Sequence, residues 1–195
     1  MIDTIEGRNP VLEALRAGRP ISKILLARDM PRHSAVAEIL NLAQSQGIPV
    51  EYVERRVLDQ KSQTTASQGV IAYAAAKEYL DLDELFAISR QKNEPPLYVV
   101  LDGIEDPYNL GAIIRSAEAT GVHGIIIRSR REVGLTATVV KASAGAIEYV
   151  PVARVVNIAQ TIETLKQNNV WVIGIDMSGE QQYSRVNFKL PTAIV

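Results

Sequence analysis

The residues best suited to chemistry lie between Asp102 and Arg115. An apolar run, Leu97-Tyr98-Val99-Val100-Leu101, ends at Asp102, and a loop with Gly103 and Pro107 follows. Asn109 stands where a helix N-cap is expected, so its amide would either cap the helix or face outward. Leu110, Ile113, Ile114 and Ala117 form the apolar stripe of that helix. Arg115 lies off the stripe, one turn after Gly111, where the missing side chain would leave room for a ligand beside the guanidinium. The planar fork of an arginine suits phosphate. Without further context, the plainer reading is a capped helix with a solvated arginine. The loop is not a dinucleotide fingerprint, because Gly103 and Gly111 are too far apart, and no P-loop pattern occurs.

Two other clusters stand out. Lys141-Ala142-Ser143-Ala144-Gly145-Ala146 reads as a helix end of small residues, leading through Glu148 to Pro151-Val152. Small residues permit close backbone approach, either to a ligand or to another helix. Gly174-Ile175-Asp176-Met177-Ser178-Gly179 follows a third apolar run, where accessible backbone at a strand's carboxyl end can meet an adenosine. Arg128, Arg130 and Arg131 make a basic knot after a second apolar run, and with Arg115 and Lys141 they would suit phosphate. His33 and His123 read as surface or internally bonded residues, and Trp171 as core.

Composition limits the chemistry. The 195 residues contain no cysteine, which excludes thiolate metal sites and a cysteine nucleophile. Two histidines make a multi-histidine metal site untenable. The 47% hydrophobic content is enough for a packed core. Neither a basic, apolar leader nor a run of about 20 apolar residues is visible, so a cytoplasmic, non-membrane protein is expected. The net charge of −1 means that any nucleic-acid binding rests on a local patch.

The elements that must position these residues fall into two groups. Residues 1–76 alternate helix and strand signals: a helix opened by Asn9-Pro10 and closed at Gly18, a strand at Ile24-Leu25-Leu26, a helix on Val36, Ile39, Leu40 and Ala43, and strands near residues 49–53 and 69–73. Residues 77–96 read as a joint, with a short amphipathic helix on Leu82, Leu85 and Ile88 and an extended linker at residues 89–96. Residues 97–195 hold the apolar runs, with helices expected near residues 109–120, 136–142 and 157–168. Such runs belong to strands buried on both faces of a parallel sheet. The fold class is α/β throughout.

Taken together, the clusters resemble a known family. Asn109-Leu110-Gly111-Ala112-Ile113-Ile114-Arg115 is similar to the first motif of the SpoU (TrmH-like) RNA ribose 2′-O-methyltransferases, and residues 143–152 are similar to the second, at matching separation. Glu6-Gly7-Arg8-Asn9-Pro10 and Gln68-Gly69-Val70 resemble landmarks of the ribosomal-protein-like RNA-binding domain that precedes the catalytic domain. The resemblance is strongest to the branch that modifies a guanosine of 23S-type ribosomal RNA.

The resemblance implies several expectations. Residues 1–76 would bind RNA, and residues 97–195 would form a SPOUT-like α/β knot domain using S-adenosylmethionine. Asn109 and Arg115 would be catalytic. Gly174, Ile175 and Val195 would meet the cofactor, and Arg8, Arg128, Arg130, Arg131 and Lys141 would meet RNA. The partner would be ribosomal RNA rather than tRNA, and the enzyme would be a homodimer. A third family motif starts at a strand like Thr192-Ala193-Ile194-Val195, and its Gly-Glu loop and Ser-Leu-Asn segment are not in this sequence. An incomplete knot and cofactor site are therefore expected, with a non-catalytic RNA-binding protein or an unrelated mononucleotide-binding enzyme as the alternatives. Calorimetry on these 195 residues is expected to show no tight, stoichiometric S-adenosylmethionine binding; such binding would refute the expectation.

Overall fold

The computed structural model describes residues 2–31, 33–64 and 67–195. They divide into two compact units. The first takes in residues 1–78, 106–115 and 134–149, and the second residues 79–105, 116–133 and 150–195. The units are therefore not simple halves of the chain, because the first one includes both motif-bearing segments expected to belong with the second half.

In the first unit, β1 (Ile2–Glu6), β2 (Ile21–Ala27), β3 (Val50–Val53) and β4 (Val70–Ala75) form a mixed sheet in the order β1-β4-β2-β3. α1 (Arg8–Arg16), α2 (Ser34–Ser45) and the short α3 (Arg55–Lys61) accompany it. α1 starts two residues earlier than expected. Gly7, at φ 102°, is its N-cap, which puts Asn9 and Pro10 inside the first turn. β1 and α3 carry little apolar signal and escape sequence reading. β1 is an edge strand with two polar, half-buried positions, and α3 buries only Leu58. His33 caps α2, its Nδ1 accepting from the Ala35 amide at 3.2 Å.

The second unit is a parallel sheet. β5 (Leu97–Val100), β6 (Gly124–Arg128), β7 (Val152–Val155), β8 (Trp171–Ile173) and β9 (Thr192–Ile194) lie in the order β7-β6-β5-β9-β8. The apolar runs are buried as expected, with Ile125, Ile126 and Ile127 at most 1% exposed. Trp171 departs from expectation. It lies on the sheet's edge strand and is 65% exposed, because β8 has a sheet neighbour on only one side.

The joint holds the expected amphipathic helix, which runs on into residues 89–91 of the expected linker. Leu80 bonds in parallel with β7, donating to Val152 O and accepting from the Arg154 amide, both at 3.0 Å. α4 (Leu82–Gln91) follows, opened by a reciprocal cap in which Asp81 and Glu84 each accept the other's amide at 2.8 Å. Leu85 and Phe86 of α4 join the core with Tyr98, Ile126, Val155 and Leu165. Gly124 has no side chain because Leu85 Cδ1 would lie 2.2 Å from its Cβ. Two adjacent apolar residues therefore make the joint part of the unit's core.

His123 is buried beside this core. Its Nδ1 accepts the Leu97 amide at 3.1 Å, and its Nε2 lies 3.2 Å from Glu94 Oε1 without hydrogen-bond alignment. Burial, with nearby Lys92, pulls the imidazole below its ordinary 6.5, against an opposing pull from Glu94. The unfolded chain then takes up a proton at this residue before the folded chain does. Its contribution to stability is complete above 6.5 and is lost as pH falls below it. His123→Gln, which keeps an acceptor for Leu97, is expected to lose less melting temperature than the wild type between about pH 7 and 5. Parallel pH–Tm curves for the two proteins would refute this.

Candidate functional site

α5 (Pro107–Ala119) carries the first motif. Its cap is not Asn109. The Asp106 carboxylate accepts the Asn109 amide at 2.8 Å, and Pro107 opens the helix. A proline favoured at the first helical position puts the cap at Asp106, three residues before the expected Asn109. Asn109 is thereby moved into the first turn with an exposed side chain. Leu110 and Ile114 are buried, and Arg115 is exposed. Among the described residues, the Arg115 guanidinium has no ion pair or hydrogen bond.

Gly111 does not clear room for a ligand. A Cβ there would lie 2.4 Å from the Ala142 Cβ, 2.9 Å from its carbonyl carbon and 3.0 Å from the Ser143 amide. Ala142 ends α6 (Ala137–Ala142), so the two motifs touch backbone to backbone at this glycine. The small residues of the second motif thus serve a helix contact. The chain then turns sharply through Ala144 at φ 52° and Gly145 at φ 98° into a 3₁₀ turn at Ala146–Glu148. Gly145 is required twice over: its φ suits glycine, and a Cβ would meet Glu13 Cβ at 2.5 Å.

Polar ties anchor this segment within the same unit. Arg19, 7% exposed, donates to Glu148 Oε1 at 2.7 Å, to Asp3 Oδ2 at 2.5 Å and to Ala75 O at 3.0 Å. Lys77 donates to Glu148 O at 3.1 Å, and burial lowers its pKa against the pull of Glu148. Tyr149 donates to Glu13 Oε2 at 2.7 Å, and desolvation, with this carboxylate, pushes its phenol up to about 12. Lys141 donates to Thr64 Oγ1 at 2.9 Å, and Thr64 in turn bonds the fully buried Glu6, which also accepts from Ser62 Oγ and the Gln63 amide. Arg8, at the start of α1, donates its amide to Gln68 Oε1 at 3.1 Å. Glu6, Arg19 and Glu148 are missed by sequence reading. Their one available signal is an ionic type inside an otherwise apolar context.

In the second unit, the carboxyl ends of β5 and β6 are joined by one buried carboxylate. Glu132 accepts the Gly103 amide at 2.8 Å and the Arg128 amide at 2.9 Å, and its side chain is 1% exposed. The Arg128 guanidinium pairs with Asp102. Arg128 is therefore an internal tie, whereas Arg130 and Arg131 stand exposed on the loop it holds. At the other side of the sheet, Gly174, Ile175 and Val195 come together. The Ile175 amide donates to Val195 O and the Val195 amide to Ile173 O, each at 2.9 Å. Space is open where a Gly174 side chain would stand, and Ile175 is 70% exposed. These residues lie at the carboxyl ends of parallel strands, where ligands of such sheets are generally found. Among the described residues no group of His, Asp and Glu could hold a metal ion.

The SpoU rRNA methylase family matches residues 96–195, and the substrate-binding family of RNA 2′-O ribose methyltransferases matches residues 4–80. The chain belongs to the SpoU rRNA methylase family. A Bacillus subtilis relative, YacO, named as a TrmH family tRNA/rRNA methyltransferase, is 45% identical over 99% of this chain and 77% of its own length. The AdoMet-bound rRNA methyltransferase of Sinorhizobium meliloti superposes with a TM-score of 0.75 at 25% identity, covering 99% of this chain and 69% of that one. The SpoU methyltransferase AviRb of Streptomyces viridochromogenes, solved with AdoMet, shares the fold at 22% identity and a TM-score of 0.78, covering 99% of this chain and 71% of that one.

Gly111→Ala separates helix propensity from packing. Propensity alone favours alanine by about 1 kcal/mol, whereas forcing a methyl group into the Ala142 contact costs about 1–3 kcal/mol. Urea denaturation is expected to show net destabilisation; a more stable variant would remove the contact from the account.

Proposed function

We propose that this protein transfers a methyl group from S-adenosylmethionine to a ribose 2′-hydroxyl of ribosomal RNA, at a guanosine, in the cytoplasm and as a homodimer. The observation that carries this reading is the unpaired Arg115 guanidinium on a helix whose position is set by the Gly111 contact. Substrate recognition falls to residues 1–76 together with Arg8, Arg130 and Arg131. Arg128 orders the loop that presents the last two, and Lys141 braces the second motif.

Gly174, Ile175 and Val195 would hold the cofactor, which supplies an electrophilic methyl on a sulfonium when bound. A ribose hydroxyl is a poor nucleophile, so it must be aligned and must lose its proton in the transition state. Asn109 has a free amide that can donate to a ribose oxygen and accept from its hydroxyl. Arg115 is not the base, because guanidinium stays protonated in proteins. It clamps the neighbouring phosphate with two parallel donors and stabilises the charge that develops on the attacking oxygen. The contact to a 2′-hydroxyl also selects RNA over DNA.

The test is methyl transfer from labelled S-adenosylmethionine to ribosomal RNA by the natural protein. Arg115→Lys, which keeps charge but loses the fork, is expected to lower turnover about tenfold or more. Near-wild-type turnover would argue against the clamp. RNA binding without transfer in the wild type would favour a non-catalytic RNA-binding protein.

A further inference from the structure

A groove in the first unit, away from α5 and α6, is used by none of the chemistry above. It has a volume of about 570 Å³ and opens at the carboxyl ends of β2 and β3 beside the start of α2. Its apolar surface comes from Leu26, Met30, Val36, Ala37 and Leu40, and Tyr52 stands at its edge, 52% exposed. An exposed tyrosine beside an apolar hollow leaves a large ring face in water, and a flat ligand would cover it.

Among the described residues the polar side chains of the groove are Arg28, His33, Ser34 and Tyr52. Arg28 donates Nε to Tyr52 O at 3.3 Å, which holds the guanidinium against β3 and leaves its terminal NH groups free. His33 accepts the Ala35 amide on Nδ1, so in the neutral ring Nε2 carries the proton and donates. Among the described residues no acidic side chain lines the groove. Asp29, next to Arg28, is engaged by Arg55 Nε at 2.9 Å, and this hydrogen bond lowers its pKa. The site thus joins an aromatic face, an apolar floor and a cationic rim. An uncharged peptide would leave the Arg28 guanidinium without a counter-charge. A nucleobase offers a flat face to stack, acceptors on its edge and a phosphate beside it.

We propose that this groove receives one unstacked nucleobase of a single-stranded RNA segment, stacked on Tyr52, with Arg28 on the adjacent phosphate. The inference rests on the reading of this protein as an RNA-binding enzyme, and it specifies how the substrate is held: by a splayed base rather than by duplex shape.

The test is fluorescence anisotropy of the 195-residue chain with a labelled, mixed-sequence single-stranded RNA 12-mer, and with an abasic oligomer of the same length. Wild type is expected to prefer the base-bearing strand. Tyr52→Ala should weaken that binding about tenfold or more while leaving the abasic oligomer unchanged, and Tyr52→Phe should retain it. Ala37→Trp, an exposed groove residue whose replacement fills the hollow, should reproduce the loss, with circular dichroism melting confirming the fold of each variant. Unchanged affinity in Tyr52→Ala and Ala37→Trp, with wild type still binding RNA, overturns the groove assignment. Failure of wild type to bind either oligomer overturns the RNA-binding reading, and the groove assignment with it.

Discussion

A hydrogen atom at Gly111 sets the arrangement of the candidate catalytic segment. With any side chain there, α5 would stand farther from the Ala142 and Ser143 backbone. Asn109 and Arg115 share a rigid helix with Gly111, so their positions are set by the same contact. Close approach of this kind works only when both partners are small, and α6 ends in Ala142, Ser143 and Ala144. The two motifs are therefore one packing unit, and their separation in sequence is the length of chain needed to return to the same place.

Charged groups do the anchoring elsewhere. Arg19 is almost wholly buried and faces two carboxylates and a carbonyl, so its charge and its donors are answered. Glu132 does the same for two backbone amides at the ends of β5 and β6. Such ties add little net stability compared with apolar packing, but removing one partner is costly because it strands the other. They specify which loop lies where. The exposed cations Arg115, Arg130 and Arg131 are left outside these ties, which is the condition for meeting a ligand phosphate.

The parallel sheet was legible in advance from the apolar runs at β5, β6 and β8, a composition that such a sheet favours, while β7 carries Arg154 and β9 Thr192. The helix on α5 was legible from its stripe, and the strand-end position of Gly174 and Ile175 followed from the general geometry of such sheets. β1 and α3 were not legible, since half-polar edge elements carry weak periodicity. The joint was legible in part: Leu82, Leu85 and Ile88 gave its helix, whereas the polar Ser89-Arg90-Gln91 suggested an extended chain and instead finishes α4.

By itself, then, the sequence determined which segments are buried strands and helices, and which residue types are available for chemistry. Those follow from local periodicity and composition. Only the tertiary structure decided what each glycine and each charge is for. Gly111 reads as room for a ligand until Ala142 is found against it, Asn109 reads as a cap until Asp106 takes the amide, and Arg128 reads as a phosphate contact until Asp102 pairs with it. Trp171 reads as core until β8 proves to be an edge. In each case the deciding neighbour is set by packing, and a contact between residues distant in sequence leaves no periodic trace in the chain.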